Sequence, residues 1–141
     1  MLFNKPVSDI VLLDLTYQYG NYMHAFVHYT VSKDGEGYLA RLKLRDKSEE
    51  ESVEFPVARD TVARMEDMLN SHKVYKWNGF DKADKHVLDG RSFSVKIKSS
   101  DGREVYARGY ASFPSAFKEV LEELEKILGI DNLTCKKLTS S

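Results

Sequence analysis

The run RSFSVKIKSSDGREVYARGYASFPSAFKEVLEELEKIL, residues 91–128, decides the fold. Its first part alternates: Phe93, Val95 and Ile97 point one way, and Ser92, Ser94, Lys96 and Lys98 the other. That period of two is the mark of a strand with one buried face. Asp101-Gly102 is a hairpin turn signal, and the return strand runs from about Arg103 to Tyr110. Pro114 then opens a helix reaching Leu128, because proline suits a first helical turn. Phe117, Val120, Leu121, Leu124, Ile127 and Leu128 form its apolar stripe. Glu119, Glu122, Glu123 and Glu125 fall on the outer face opposite that stripe. Gly129 is the expected stop. Ser112 reads as a helix cap rather than a nucleophile.

The same ββα order occurs once before. Tyr38, Ala40, Leu42 and Leu44 alternate with Leu39, Arg41, Lys43 and Arg45, a half-buried strand with a basic outer face. A short strand ends at Val53 and Phe55, stopped by Pro56. A helix over Ala58–Leu69 follows, spaced by Val62, Met65, Met68 and Leu69. Phe55-Pro56 and Phe113-Pro114 thus stand at matching places ahead of two amphipathic helices. Earlier still, Val7–Tyr17 and Tyr22–Val31 read as strands around the turn Tyr19-Gly20-Asn21. Ser71–Leu88 is irregular and long for a compact domain, and it carries Tyr75, Trp77 and Phe80.

The expected fold is therefore α+β, a two-layer sandwich. A mainly antiparallel sheet of about six strands carries two helices on one face, in the order β-β-β-β-α-loop-β-β-α. Residues 1–135 read as one domain and 136–141 as a flexible tail. A chain of 141 residues, 42% hydrophobic and 30% charged, can bury its own core without staples. The net charge of −1 exerts no global pull toward nucleic acid or an anionic membrane. The lone cysteine, Cys135, excludes an internal disulfide and Cys-rich zinc sites. No secretory leader and no run of about 18 apolar residues is visible. A cytoplasmic protein without a membrane segment is the expectation.

Chemistry-bearing residues are few. His24 and His28 share a strand face, but four residues of strand separate them by about 13 Å. One metal cannot take both, so exposed or interface histidines are the favoured reading. Arg41, Lys43 and Arg45 share one parity, Lys96 and Lys98 another, and Arg108 lies between Tyr106 and Tyr110. Were these faces to coincide, cations would sit beside stacking groups, as in single-strand nucleic-acid binders. The favoured reading is instead a solvated face that discourages edge pairing, with nucleic acid disfavoured. Trp77-Asn78-Gly79-Phe80, with Leu88-Asp89-Gly90-Arg91, forms either the wall of a binding site or the plug of a core end. No P-loop, dinucleotide fingerprint, G-x-S-x-G or H-E-x-x-H is present, and no cofactor is implied.

Trp77-x-Gly79-Phe80, Leu88-Asp89-Gly90-x-Ser92-Phe93-x-Val95-x-Ile97, Asp101-Gly102 and Gly109-x4-Pro114-x-x-Phe117 together resemble uncharacterised bacterial proteins of unknown function. The resemblance covers roughly the C-terminal half. It implies a bacterial protein, cytosolic or envelope-associated, and brings no catalytic residues with it. It also joins the Trp77 loop and the Gly109–Pro114 corner into one unit. Gly109 is then the point of close backbone approach, with Trp77 buried against Pro114 or Phe113.

Three functional readings follow. The first is a non-enzymatic binding or protein-interaction module, using the open sheet face or the Trp77 loop. Its partner is a protein or a small molecule, or a second copy docked through the sheet. The surface would draw on Trp77, Asp89, Arg91, Arg108, Tyr110, His24 and His28. An enzyme of unrecognised class, with a site near His24/His28 or Arg108/Tyr110, is the alternative. Nucleic-acid binding by a basic face is the third.

Overall fold

A computed structural model describes residues 6–18, 26–46, 49–84 and 91–130. Among these residues, seven strands form one sheet: β1 (Ile10–Gln18), β2 (Phe26–Asp34), β3 (Gly37–Asp46), β4 (Glu49–Val57), β5 (Asp81–Ala83), β6 (Ser92–Ser99) and β7 (Glu104–Tyr110). Two helices accompany them, α1 (Arg59–Ser71) and α2 (Phe117–Leu128). The strand order is β4-β3-β2-β1-β6-β7-β5, with every pairing antiparallel except β5 on β7.

The period-two pattern does what it predicts. Val27, Tyr29 and Val31 on β2, Tyr38, Ala40, Leu42 and Leu44 on β3, and Phe93, Val95 and Ile97 on β6 are all buried. They form the inner face, and the apolar stripes of α1 and α2 complete the core above it. On β1 a bulge between Ile10 and Leu12 resets the parity, so Ile10, Leu13 and Leu15 all face inward. Asp9, at φ 50, ends the strand before Val7. The preceding turn is tied to α1: Val7 N–H donates to Asn70 Oδ1 at 2.7 Å, and Asn70 Nδ2 returns a bond to Val7 O at 2.8 Å.

Three sequence expectations are corrected. The stretch after α1 is not one loop. Val74–Trp77 forms a 3-10 turn and Asp81–Ala83 adds a seventh strand, parallel to β7. Pro56 does not stop β4, which runs on to Val57; β4 is an edge strand, where a missing N–H is tolerated. The second helix starts three residues after Pro114, with Ala116 at its N-cap in a left-handed conformation (φ 68) and no side-chain cap from Ser112 or any other residue. Gly129, at φ 76, closes that helix as expected.

Glu125 is also misplaced by the helical pattern. It is 5% exposed rather than solvated, and Tyr29 Oη–H donates to its Oε2 at 2.7 Å. Glu123 turns toward α1 and hydrogen-bonds His72. The tail from residue 131 lies outside the described residues.

Gly109 shows why the corner after β7 needs glycine. A Cβ there would stand 2.1 Å from Ser112 O and 2.7 Å from Phe93 Cε1. Only a residue without one lets the backbone fold back so closely. Ala111 and Ala116, at φ 53 and 68, carry the turn into α2.

Candidate functional site

Neither helix covers the outer face of the sheet. The register lays its side chains out in rows that cross the strands. One row reads Glu54, Arg41, Thr30, Asp14, Lys96, Tyr106. The next reads Ser52, Lys43, His28, Thr16, Ser94, Arg108, Asp81. The two basic parities of the sequence therefore do share one face.

That face is mixed in charge, not uniformly basic. Arg41 Nε donates to Glu54 Oε2 at 2.6 Å across β3 and β4. His28 Nε2–H donates to Asp14 Oδ1 at 2.8 Å across β2 and β1. Arg108 grips Asp81 with two bonds, Nε to Oδ1 at 3.1 Å and Nη2 to Oδ2 at 3.2 Å. Its hydrogen bonds with Asp81, and then the carboxylate charge, hold the Arg108 guanidinium above its ordinary pKa. Bidentate pairing of this kind fixes a guanidinium plane in one orientation.

At the β5–β7 end the rows open into a shallow groove of about 530 Å³ between Thr16, Ser94, Asp81 and the β7 side chains. Tyr106, Arg108 and Tyr110 stand along it at alternate positions of β7. Tyr106 is 46% exposed and Tyr110 37%, the two large aromatics most open to solvent among the described residues. Asn78 Oδ1 accepts the Tyr106 backbone N–H at 2.9 Å, and Phe80 O accepts that of Arg108 at 2.9 Å. The 78–83 segment thus braces β7 from its outer edge.

The residues singled out from the sequence separate into distinct places. Arg108 and Tyr110 lie together in the groove. His28 shares the Arg108 row but stands three strand spacings away, roughly 14 Å at about 4.8 Å per spacing. It forms its own pair with Asp14. Trp77 is 5% exposed, and its ring centroid lies 6.0 Å from that of Phe117. The indole is a core plug at the end of α2, buried as expected but with Phe117 as its ring partner. Arg91 belongs to the opposite side of the sheet, its guanidinium 5.9 Å from the centre of the Phe113 ring. His24 and Asp89 lie outside the described residues.

Two side chains of the candidate site are not marked as such by the sequence. Asp81 carries no local signal, because only the β5–β7 register brings it to Arg108. Tyr106 was visible only as the residue flanking Arg108; its shared parity with Tyr110 was the available signal. Among the described residues no group of His, Cys, Asp and Glu is placed to hold a metal ion. No helix among them is long and apolar enough to cross a membrane. No protein-family model matches the chain, and no curated protein matches it significantly.

Proposed function

We propose that this chain is a non-enzymatic protein-interaction module that engages its partner through the outer sheet face, anchored on Tyr106, Arg108 and Tyr110. The observation that carries the reading is the uncovered face itself. Among the described residues, a seven-stranded sheet buries one side under two helices and leaves the other uncovered, with its most exposed aromatics gathered around one oriented guanidinium. Tyrosine and arginine are the residue types that dominate binding energy at protein interfaces. Both are held here on a strand rather than a loop, so little ordering entropy is lost on docking. The alternating charge rows supply orientation and selectivity more than affinity.

The test is a paired capture. Wild-type protein and a Tyr106→Ala/Arg108→Ala/Tyr110→Ala variant are immobilised and exposed to soluble extract, and bound proteins are quantified by mass spectrometry. A partner that falls at least roughly tenfold on the triple variant, yet is kept by Val53→Ala on the inner-facing side of β4, is the expected result. Indistinguishable bound sets would overturn the reading. Sedimentation of the same variants reads the self-association form: a dimer lost in the triple variant identifies a second copy as the partner.

A further inference from the structure

On the helix side of the sheet, a cavity of about 230 Å³ lies between the first turns of α1 and the end of the sheet where β1 is bulged. We propose that it binds a small α-amino acid as its zwitterion, of the size of glycine, alanine or serine. The sheet register explains the gap. Tyr38 and Lys33 stand opposite each other on β3 and β2, and Val11, at the bulge between Ile10 and Leu12, lines the same cavity. Bulges re-aim side chains and recur beside binding sites. Asp9, just before β1, also lines it and holds φ at 50, with its carbonyl accepting the Ser100 N–H at 2.9 Å. A non-glycine residue keeps that conformation only where its surroundings fix it.

The observation that points to a ligand is the Tyr38 hydroxyl. Tyr38 is 8% exposed and lines the cavity, and among the described residues its hydroxyl has no hydrogen-bond partner. Buried hydroxyls are satisfied as a rule, so one left open beside a cavity marks a place for a ligand atom. The charges are sorted around it. Lys33 is the cross-strand partner of Tyr38 on one side, and Val57 on the other side leads two residues later to Arg59. Neither cation has an ion-pair partner among the described residues. The carboxylates gather instead at Ile10. Asp9 precedes it, and its backbone N–H donates to Glu66 Oε2 at 3.0 Å. Two cations and two carboxylates thus line the cavity from different ends. A lone anion or a lone cation would meet repulsion there as well as attraction. A zwitterion gives its carboxylate to Tyr38, Lys33 and Arg59 and its ammonium to Asp9 and Glu66. The volume lies below that of sites for larger ligands, which leaves space for a short side chain only. The outer-face groove at Tyr106 plays no part in this site, so the two proposals stand or fall separately.

Three near-isosteric probes test it: L-alanine, isobutyrate and isopropylamine, which carry both charges, the carboxylate alone and the ammonium alone. Each is titrated into the full chain and followed by amide chemical-shift perturbation. Alanine is expected to bind at least roughly tenfold more tightly than either of the others. Tyr38→Phe removes only the hydroxyl. It should weaken alanine roughly fivefold or more and leave thermal stability unchanged or raised, because that hydroxyl bonds nothing within the described protein. Asp9→Asn suits the same left-handed backbone and should bring alanine toward the affinity of isobutyrate. Arg59→Gln should bring it toward that of isopropylamine. Equal binding of the three probes, tighter binding of either singly charged one, no saturation by alanine below about 10 mM, or an alanine affinity unmoved by Tyr38→Phe and Asp9→Asn would overturn the proposal.

Discussion

The molecule is built from two halves that match in strand placement and direction and differ in their connections and at their edges. A two-fold axis normal to the sheet, between β1 and β2, carries β2-β3-β4 onto β1-β6-β7 with strand directions preserved. Each half ends in a helix three residues beyond a Phe-Pro pair. In the first half Phe55-Pro56 is still in the strand, and Ala58 alone links β4 to α1. In the second half Phe113-Pro114 lies in a six-residue corner that folds back onto Gly109. Among the described residues the first half leaves β4 at the sheet edge, marked by acidic residues and a proline that discourage further strand pairing. In the second, β5 covers the edge of β7. The same strand arrangement thus yields one guarded edge and one braced strand, and the braced strand carries the candidate site.

Replacing Gly109 breaks the contrast most severely. Gly109→Ala must push the Ser112 carbonyl and Phe93 apart, with a loss of about 3 kcal/mol or more in chemical denaturation. Gly37→Ala in the first half is the control: its Cβ would meet only Asp34 O at 3.9 Å, so stability should hold within about 0.5 kcal/mol. Next in size is the bond joining the two halves. Tyr29→Phe removes the hydroxyl donor from buried Glu125 and should cost about 2 kcal/mol by thermal or denaturant unfolding. An unchanged midpoint would show that the pair is dispensable to the core.

Hydrogen exchange sharpens the edge comparison itself. The Arg108 N–H, bonded to Phe80 O at 2.9 Å, should exchange roughly a hundredfold more slowly than the outward-facing amides of β4. Equal rates would mean that β5 does not brace β7. The smallest effect is at the β6–β7 turn. The Arg103 backbone N–H, opposed in part by desolvation and reinforced by the Arg103 guanidinium, holds the Asp101 carboxyl below its ordinary value of 3.8. A depressed carboxyl stabilises the fold above its unfolded-state pKa. That contribution is lost as pH falls from about 3.8 through the lower folded value. Asp101→Asn should flatten a slight part of the acid-unfolding curve in that window and leave stability near pH 7 only marginally reduced.

Much of this frame could be read from residue order. Phe93, Val95 and Ile97 declare their strand because one face is buried and the other is not. The α2 stripe declares its helix in the same way, and the requirement for Gly109 follows from a strand meeting a corner. β5 could not be read. Asp81, Lys82 and Ala83 are all exposed, so no burial pattern marks them, and the strand exists only because β7 offers an edge. Glu125 was lost for the opposite reason: it sits beside Leu124 at the border of the stripe, and only Tyr29, 96 residues away, makes that position a buried one. The candidate site divides along the same line. The Tyr106–Arg108–Tyr110 parity is local and legible, whereas the Arg108–Asp81 fork depends on a parallel pairing that no local pattern announces.

The two-fold arrangement also bears on the order in which the chain can fold. β1 is made first, yet one of its two neighbours is β6, more than seventy residues later, with Gln18 opposite Ser92. A chain leaving the ribosome can assemble β1 to β4 with α1 as a four-stranded partial sheet. Its β1 flank then stays unsatisfied until residue 99 has emerged. Non-local closure of this kind is slow and exposes an aggregation-prone strand while it waits. The last third of the polypeptide therefore completes the sheet from the centre outward, and truncation before β6 would leave the first four strands with a sticky β1 flank opposite the guarded β4 edge.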